Sequence, residues 1–487
     1  MVQFITTLPW AIILILFPLS GAIISFLWSK QGNRIGILTI TFVLISVIFL
    51  AWSMIEKGVY IHTIGGWDAP LGINLYADGL SLVMLIMTAL VGLGISIYAI
   101  SYFSVDQSKR FWPLWLLIIA GLNALFLSSD IFNYYVALEL IGLAAVSLTA
   151  LGNTRKAFLG AMRYLLATLL GSLLYLFGVG LLYHGFGSLD IATLSQNAQA
   201  TPILWVSLAL MSGGLLLKTA LFPLHFWLPP AHSSAPAPVS ALLSALIIKS
   251  SFYILIRLWL TIFGPLNDGT VETIFGLLGT GAILWGSFQA LRQTRLKLLV
   301  AYSTVAQIGY LFLAFSLAIS GATIAWNAVV FLAFSHALAK SAMFLVVGNL
   351  LRFGGHDEII HLDRVAQRLP ITTAAFALAG ISIIGLPLSG GFIGKYFLLE
   401  AALRQEQWGV VIILLVGSLL SAAYIFKVIS HFFTPSSTPH NSKIIPANME
   451  WSALLLAVAA VLLGLFSSSV LSITDLGSPF ELEGEQL

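Results

Sequence analysis

Five ionisable side chains lie deep within long apolar runs of the sequence: Glu139, Lys218, Lys249, Lys340 and Lys395. A charge at the centre of a bilayer costs about 3 kcal/mol on insertion scales, so each of these groups calls for a function. Burial disfavours the charged form of an amine, which lets a buried lysine give up its proton. Because a charge on one lysine opposes protonation of the next, the series predicts proton transfer along a lateral chain.

Two histidines stand between these charges in the sequence. His225 follows Lys218, and His336 precedes Lys340 by four residues, which places the latter pair on one helix face. Histidine titrates near physiological pH, so we expect both histidines to bridge proton transfers. A second possibility for His336 is that it is a hydrogen-bonded neighbour of one functional lysine.

The remaining intramembrane cations lie closer to the ends of their runs. Arg163 and Lys427 are within about two helical turns of an end and can extend to water by snorkelling. Arg257 is about two turns from the other end of its run, where an interface anchor and a helix-pairing role are both open. A pair formed by Glu139 and Lys218 would hold that lysine charged, and opening the pair would release its proton.

Two of the apolar runs contain helix breakers. Pro223, Pro229 and Pro230 follow Lys218, and a stretch rich in glycine and proline, 385–394, precedes Lys395. Broken membrane helices mark ion sites in transporters. The two breaks fall in runs seven and twelve, and this odd spacing predicts two inverted five-helix repeats, 112–264 and 272–433.

The composition excludes most classes of soluble protein. Of 487 residues, 59% are hydrophobic and 8% are charged, whereas soluble proteins carry about 25% charged residues. The net charge of +3 is too small to suggest a nucleic-acid partner, and the absence of cysteine excludes disulfides and thiolate metal sites. We predict an all-α polytopic membrane protein, a single membrane domain over 1–487.

About fourteen runs are long enough to span a bilayer, which takes about 20 residues. They are 8–28, 36–55, 79–103, 112–127, 131–151, 159–184, 203–228, 239–264, 272–291, 298–319, 322–351, 371–400, 408–433 and 451–472.

The loop charges predict the orientation. With the N-terminus outside, the cytoplasmic loops hold thirteen basic residues and the outer loops hold two, Lys57 and Arg404. Cytoplasmic loops are enriched in lysine and arginine, so we expect both termini outside, together with the acidic tail of Glu481, Glu483 and Glu485. The thirteen are Lys30, Arg34, Lys109, Arg110, Arg155, Lys156, Arg292, Arg295, Lys297, Arg352, Arg364, Arg368 and Lys443.

Six blocks of sequence resemble a known family, the large antiporter-like subunits shared by Mrp-type cation/proton antiporters, membrane-bound hydrogenases and complex I. The blocks are GGWDAPLGINLYADGLS (65–81), LSSDIFNYYVALEL (127–140), FPLHFWLPPAHSSAPAPVSALLSALIIK (222–249), AYSTVAQIGY (301–310), FSHALAKSAMFL (334–345) and GLPLSGGFIGK (385–395).

The first block and the lysine at 395 are most similar to the D-type subunit of the Mrp antiporters or its hydrogenase relatives. The resemblance implies fourteen helices, inverted five-helix units and broken helices seven and twelve. It also implies a Glu139–Lys218 pair, a connecting Lys249 and a terminal Lys395. Pro230 departs from the pattern, because the family commonly has an acid there.

We therefore expect a proton-translocating subunit of a multisubunit Na⁺/H⁺ antiporter in the cell (inner) membrane. The expected partners are further membrane subunits, protons, the lipid bilayer and Na⁺ as a second candidate ion, with no cofactor and no metal site on this chain. The nearest alternative is a proton-pumping subunit of a hydrogenase or quinone oxidoreductase, with no redox chemistry on the chain itself. A structural anchor and a solute transporter are also open, although no polar cluster suited to one solute favours the transporter.

Overall fold

The computed structural model describes residues 8–67, 72–318, 323–362, 364–435, 443–478 and 480. The predicted outward acidic tail, 481–487, lies outside the described residues. The first part of the chain forms α1 (Trp10–Leu27), α2 (Gly32–Lys57), α3 (Gly79–Tyr102), α4 (Val105–Leu127), α5 (Ile131–Ala150), α6 (Arg155–Phe186) and α7 (Ile191–Asn197). Strands β1 (Tyr60–Thr63) and β2 (Asn74–Ala77) pair antiparallel between α2 and α3.

The seventh and eighth runs are interrupted helices. The seventh consists of α8 (Pro202–Thr219), a 3₁₀ turn (Leu224–Trp227) and α9 (Leu228–Ser234). The eighth consists of α10 (Ala237–Leu242), a π turn (Leu243–Ile247) and α11 (Ile248–Leu260). Nothing in the sequence predicts the π turn, because no proline or glycine marks it.

The second half repeats the pattern of long helices around one break. It contains α12 (Thr270–Arg292), α13 (Leu296–Leu317), α14 (Thr323–Gly354), α15 (Val365–Arg368), α16 (Pro370–Ile384), α17 (Gly390–Arg404), α18 (Trp408–Phe433), α19 (Ala447–Leu465) and α20 (Ser467–Thr474). Short 3₁₀ turns cover Ser29–Gln31, Ile64–Gly66, Gly264–Leu266 and Ile359–His361.

Within the described residues, thirteen helical segments are long and apolar enough to cross a membrane. The number is one lower than the fourteen predicted runs. The break at Gly385 divides the twelfth run, 371–400, into α16 and α17 of 15 residues each, and neither is long enough by itself. The polytopic all-α class and both predicted breaks are thereby confirmed, and the protein is a multi-pass membrane protein.

The loops meet at two opposite ends of the bundle. At the end that carries the β1–β2 hairpin, Ser129 Oγ donates to the carbonyl of Asn74 at 2.8 Å. At the opposite end, Arg352 Nη1 donates to the carbonyl of Ser101 at 2.6 Å. Both contacts join loops that the alternation of spans predicts on the same face, and we name these faces the hairpin side and the opposite side.

The centre of the bundle is formed by α11 with its preceding turns and by α14. The apolar windows of these two segments are completely buried, whereas only 33–39% of the residues in those of α1, α2 and α18 are buried. The peripheral helices therefore present apolar side chains outward, and the deep lysines of α11 and α14 lie at the core.

Candidate functional site: a chain of buried ionisable groups

Glu139 and Lys218 form an ion pair between α5 and α8. Lys218 Nζ lies 3.6 Å from Glu139 Oε1 and donates to Thr168 Oγ1 at 2.8 Å. Ser172, one turn further along α6, donates to the same carboxylate oxygen. The Glu139 side chain is 21% exposed and that of Lys218 is 6% exposed, so the pair begins at the lateral surface and points into the bundle.

A glycine contact sets the position of Lys218. A Cβ at Gly214 of α8 would overlap with the carbonyl oxygen of Gly171 in α6. Only a hydrogen at this position lets the two backbones approach this closely. Lys218, one turn after Gly214, is thereby held against the Thr168 hydroxyl.

A small cavity connects Lys218 with α11. Its lining includes Lys218, Thr168, Ser250 and Ser251. The volume of the cavity is about 20 Å³, which is enough for about one water molecule. Beside the cavity, the Thr219 and Ser251 hydroxyls are 2.9 Å apart, so polar groups lead from the end of α8 to the helix of Lys249.

Lys249 is held by the π turn that precedes it. Its Nζ donates to the carbonyl of Ser244 at 3.0 Å, and its side chain is buried. Turns of this kind are found mostly as single interruptions of α-helices, frequently at functional sites. The lysine is thus turned back along its own helix toward the middle of the bundle.

A series of polar groups lies between Lys249 and Lys340, and it begins at Ser244, whose carbonyl binds the Lys249 amine. The Ser244 hydroxyl lies 2.8 Å from Thr304 Oγ1, and Thr304 Oγ1 donates to the Val300 carbonyl at 3.1 Å. Lys340 Nζ donates to that same carbonyl at 3.1 Å. Three elements, the π turn, α13 and α14, therefore place two hydroxyl groups and two backbone carbonyls between the two lysines, and a proton passes this series only when an amine turns from its carbonyl toward a hydroxyl.

His336 lies within electrostatic reach of both Lys249 and Lys340. The side chain is buried, and neither ring nitrogen has a hydrogen-bond partner among the described residues. A neutral imidazole carries one donor and one acceptor nitrogen. Both nitrogens are therefore available for a proton transfer between the two lysines.

Lys395 lies at the second break. Its Nζ donates to the carbonyls of Ile383 at 3.1 Å and Ile384 at 2.9 Å and lies 4.4 Å from the centre of the Tyr310 ring. The last carbonyls of a helix have no partner within the helix and carry partial negative charge. The first half of the broken helix thus solvates the ammonium group.

His225 is not joined to this series in the structure. It is half-buried in the 3₁₀ turn after α8 and stacks on Phe222, with ring centres 5.7 Å apart. Within the part of the chain described, no hydrogen bond connects its ring with the five ionisable groups. Its bridging role stays a prediction.

His232 and Lys297 are buried groups that the sequence did not single out. His232 stacks on Phe344 with ring centres 4.6 Å apart and lies within electrostatic reach of Lys297 and Lys340. The sequence predicts Lys297 in a loop, but it lies in the first turn of α13 and donates to the Ala235 carbonyl. The helix begins earlier than predicted because Asp357, from a distant loop, accepts from the Lys297 backbone N–H at 3.1 Å.

The three peripheral cations have different environments. Arg163 is exposed on α6, in agreement with a surface position. Lys427 does not simply extend to water, because its Nζ donates to the carbonyls of Leu291 and Gln293 at 2.8 Å each, at the end of α12. Arg257 pairs with Asp78, the N-cap residue of α3, which decides between its two predicted roles in favour of helix pairing.

Comparison with known proteins identifies the family of the chain. Residues 128–421 match the family described as NADH:quinone oxidoreductase/Mrp antiporter, transmembrane, and residues 63–112 match the N-terminal part of chain 5 of NADH-ubiquinone oxidoreductase (complex I). The chain therefore belongs to the NADH:quinone oxidoreductase/Mrp antiporter family of membrane subunits, as its motifs indicated.

Relatives within the family have two kinds of function. The chain is 34% identical to NADH-quinone oxidoreductase subunit N of Desulforudis audaxviator, over 87% of this chain and 88% of the relative. It is 28% identical to the D-type subunit of the Na(+)/H(+) antiporter of Alkalihalophilus pseudofirmus, over 86% of each chain. A chain in the structure of the Mrp complex from Dietzia sp. shares the fold, with a TM-score of 0.88, 23% identity and coverage of 97% of this chain and 98% of that one.

Proposed function

We propose that this chain is the D-type, proton-translocating subunit of a multisubunit Na⁺/H⁺ antiporter. The observation that carries the proposal is the series of polar groups between Lys249 and Lys340, in which the Ser244 and Thr304 hydroxyls lie between the two carbonyls that bind the amines. It joins the two halves of the chain, 112–264 and 272–433, which we take as inverted repeats because a broken helix lies in each.

In this proposal the Glu139–Lys218 pair is the first switch. With the pair closed, the carboxylate stabilises the ammonium charge across 3.6 Å. When Glu139 is neutralised or drawn away, Lys218 is a buried cation without a counter-charge, and it releases its proton toward the cavity beside Ser250 and Ser251.

The middle of the series then carries the proton across the bundle. Lys249 and Lys340 accept and release it in turn, because the charge on one opposes the charge on the other. His336 stands near both amines with unpaired ring nitrogens and supplies a second path between them. His225 is proposed to exchange a proton with Lys218 when the broken helix moves.

Lys395 ends the series. Its ammonium group is stabilised by two backbone carbonyls and an aromatic ring and by no carboxylate of the described residues. A cation held by dipoles is solvated without being neutralised, so its charge acts on Lys340 and also on a neighbouring subunit. Lys395 is therefore the proposed outlet of the proton.

The proposed setting is a complex with further membrane subunits in the cell (inner) membrane, with both termini outside. With Lys297 set apart because it is buried in α13, the remaining twelve-to-two distribution of cations in and beside the loops supports this orientation. The name of the relative from Alkalihalophilus pseudofirmus supports Na⁺ as the exchanged ion. The partly exposed Glu139 supports a partner subunit at that lateral face, because lipid cannot stabilise a carboxylate.

A second candidate function is proton pumping driven by electron transfer in partner chains. The 34% identity to NADH-quinone oxidoreductase subunit N favours it. The buried series would work in the same way, but the Glu139–Lys218 switch would respond to a redox reaction in a neighbouring subunit.

The test uses the complex purified from its own membranes and reconstituted in vesicles. An imposed Na⁺ gradient, with no electron donor, is expected to drive a pH change inside the vesicles. A pH change that requires NADH or reduced quinone, and that no Na⁺ gradient produces, would favour the second candidate. Mass spectrometry of the purified subunits provides an independent answer, because redox cofactor-binding partners belong to the second candidate alone.

A further inference from the structure

A cavity lined by several hydroxyl-bearing residues opens at the hairpin side of the bundle. Its volume is about 420 Å³. The lining combines hydroxyl groups with one buried ion pair, and includes Tyr76, Ser128, Tyr134, Ser195, Asp78 and Arg257. We call this cavity the hairpin-side vestibule.

At the floor of the vestibule, Asp78 and Arg257 belong to a cluster of four side chains. Arg257 forms two hydrogen bonds with the carboxylate of Asp78. The guanidinium group also donates to Ser81 Oγ at 2.9 Å and to the Tyr253 hydroxyl at 3.1 Å, and those two hydroxyls are 3.0 Å apart. We call Asp78, Ser81, Tyr253 and Arg257 the outer plug. Arg257 and Asp78 are 5% and 0% exposed, so the plug leaves no open passage.

Lys249 lies on the inner side of the plug, with its ammonium group turned toward the Ser244 carbonyl. Lys249, Tyr253 and Arg257 follow one another at intervals of four residues along α11, which places them on one face of the helix. Between Tyr253 and Lys249 is a second, small cavity that both residues line, and its remaining lining is apolar, with Val83, Met84 and Ala333 among it. The outer plug and this apolar space thus follow one another between the vestibule, which Asp78 and Arg257 line, and Lys249.

We propose that the outer plug closes an outward half-channel to Lys249, and that Lys249 exchanges protons with the hairpin side when the Asp78–Arg257 pair opens. The ion pair makes the closed state the default, because each partner would otherwise be a buried charge without a counter-charge. The apolar space admits no ions while it contains no water. Because it is small and its lining is apolar, it loses its water whenever the plug closes. This inference relies on the proposed function in one respect, that Lys249 carries a proton.

The experiment measures access rather than transport. The chain has no cysteine, so Met84→Cys gives it a single thiol, which lines the apolar space, and modification is measured on this chain after separation from the other subunits. The full complex in vesicles is treated with a small, membrane-impermeant methanethiosulfonate reagent, applied in turn to each side of the membrane. The rate of thiol modification is compared with and without Asp78→Asn. Asparagine keeps the N-cap bond that Asp78 forms with the Ser81 N–H but leaves Arg257 uncompensated.

We expect Asp78→Asn to accelerate modification of the Met84→Cys thiol from the hairpin side by at least about tenfold, the change in population that corresponds to about 1.4 kcal/mol. Tyr253→Phe, which removes only a hydroxyl group, is the second variant and is expected to act in the same direction. The matched control is Arg295→Gln, which breaks the Arg295–Asp357 pair at the opposite side and is expected to leave the rate unchanged. A second control, Ile95→Cys further along α3, is expected to stay unmodified.

Equal rates in the Asp78→Asn, Tyr253→Phe and Arg295→Gln backgrounds would overturn the outward half-channel. Acceleration from the opposite side alone would overturn it as well. Na⁺/H⁺ exchange by the unmodified complex is measured in the same vesicles. A failure of the proposed function would therefore appear as absent exchange, whatever the thiol rates are.

Discussion

The ammonium nitrogen of Lys395 lies 2.9 Å from the carbonyl oxygen of Ile384, across the break that separates the two residues in the chain. Lys218 precedes its break and Lys395 follows its own, so the sequence presents them as unlike. In the structure both lysines are associated with the first half of a broken helix, Lys218 within its last turn and Lys395 on its last carbonyls. The partial negative charge at a helix C-terminus stabilises a cation at either place.

Loss of the first switch is expected to stop transport. Glu139→Gln keeps the size of the side chain and removes the charge that faces Lys218. Proton/cation exchange in vesicles should fall by at least about 100-fold, the scale of a lost acid–base group, with the complex still assembled. Lys218→Ala should have the same effect. Glu400→Gln is the control, since Glu400 pairs with the exposed Arg404 at the protein surface; exchange at the normal rate in Glu139→Gln would refute the switch.

Interruption of the hydroxyl chain is expected to slow transport without stopping it. Thr304→Val preserves the shape of the side chain but removes the hydroxyl that joins Ser244 with the Val300 carbonyl. One lost hydrogen bond of about 1 kcal/mol corresponds to a rate lowered about fivefold. Thr149→Val is the control, because Thr149 is also buried and donates only to its own helix, at Ala145. Equal rates in both variants would show that the proton takes another path.

The close contact between α6 and α8 is expected to tolerate no methyl group. Gly214→Ala would drive a Cβ into the backbone oxygen of Gly171, and we expect it to lower the free energy of unfolding by about 1–3 kcal/mol. The neighbouring Gly213→Ala has open space around the new methyl group and should raise stability by up to about 1 kcal/mol through helix propensity. Thermal unfolding of both variants in detergent provides the comparison. Similar midpoints would mean that the two helices can separate without cost.

The N-cap of α5, the helix of Glu139, is expected to make stability depend on pH. Partial burial raises the pKa of Asp130 above its ordinary value of 3.8, although backbone N–H groups of Asn133 and Phe132 oppose the shift. An acid whose pKa is raised by folding binds its proton more tightly in the folded state. Its contribution is therefore greatest at low pH and declines as the pH rises from about 3.8 through the raised pKa.

Asp130→Asn preserves the cap and removes the titration. The unfolding midpoint of the variant, compared with the wild type, should thus improve as the pH increases across this interval. A difference between the two proteins that does not change with pH would contradict the prediction.

The spans, the two breaks and the five deep ionisable groups were predictable because each depends on local sequence. A run of apolar residues must cross the bilayer, and a proline or glycine cluster must interrupt it. Contacts between distant segments were not predictable. Arg257 meets a carboxylate 179 residues away, and Lys297 is drawn into its helix by Asp357, 60 residues further on. The sequence around His232 does not indicate that the residue is buried, because its ring stacks on Phe344, which is distant in the chain.

The π turn Leu243–Ile247 has a consequence for the evolution of this bundle. A helix that gains one residue absorbs it as a single widened turn, so that the segments on either side keep their angular phase. A chain shorter by one residue here would present the same helix faces to α13 and α14. It would lack the widened turn whose Ser244 carbonyl now holds the Lys249 side chain. Relatives that differ by a one-residue deletion at this place should therefore keep the architecture while their central lysine is anchored differently.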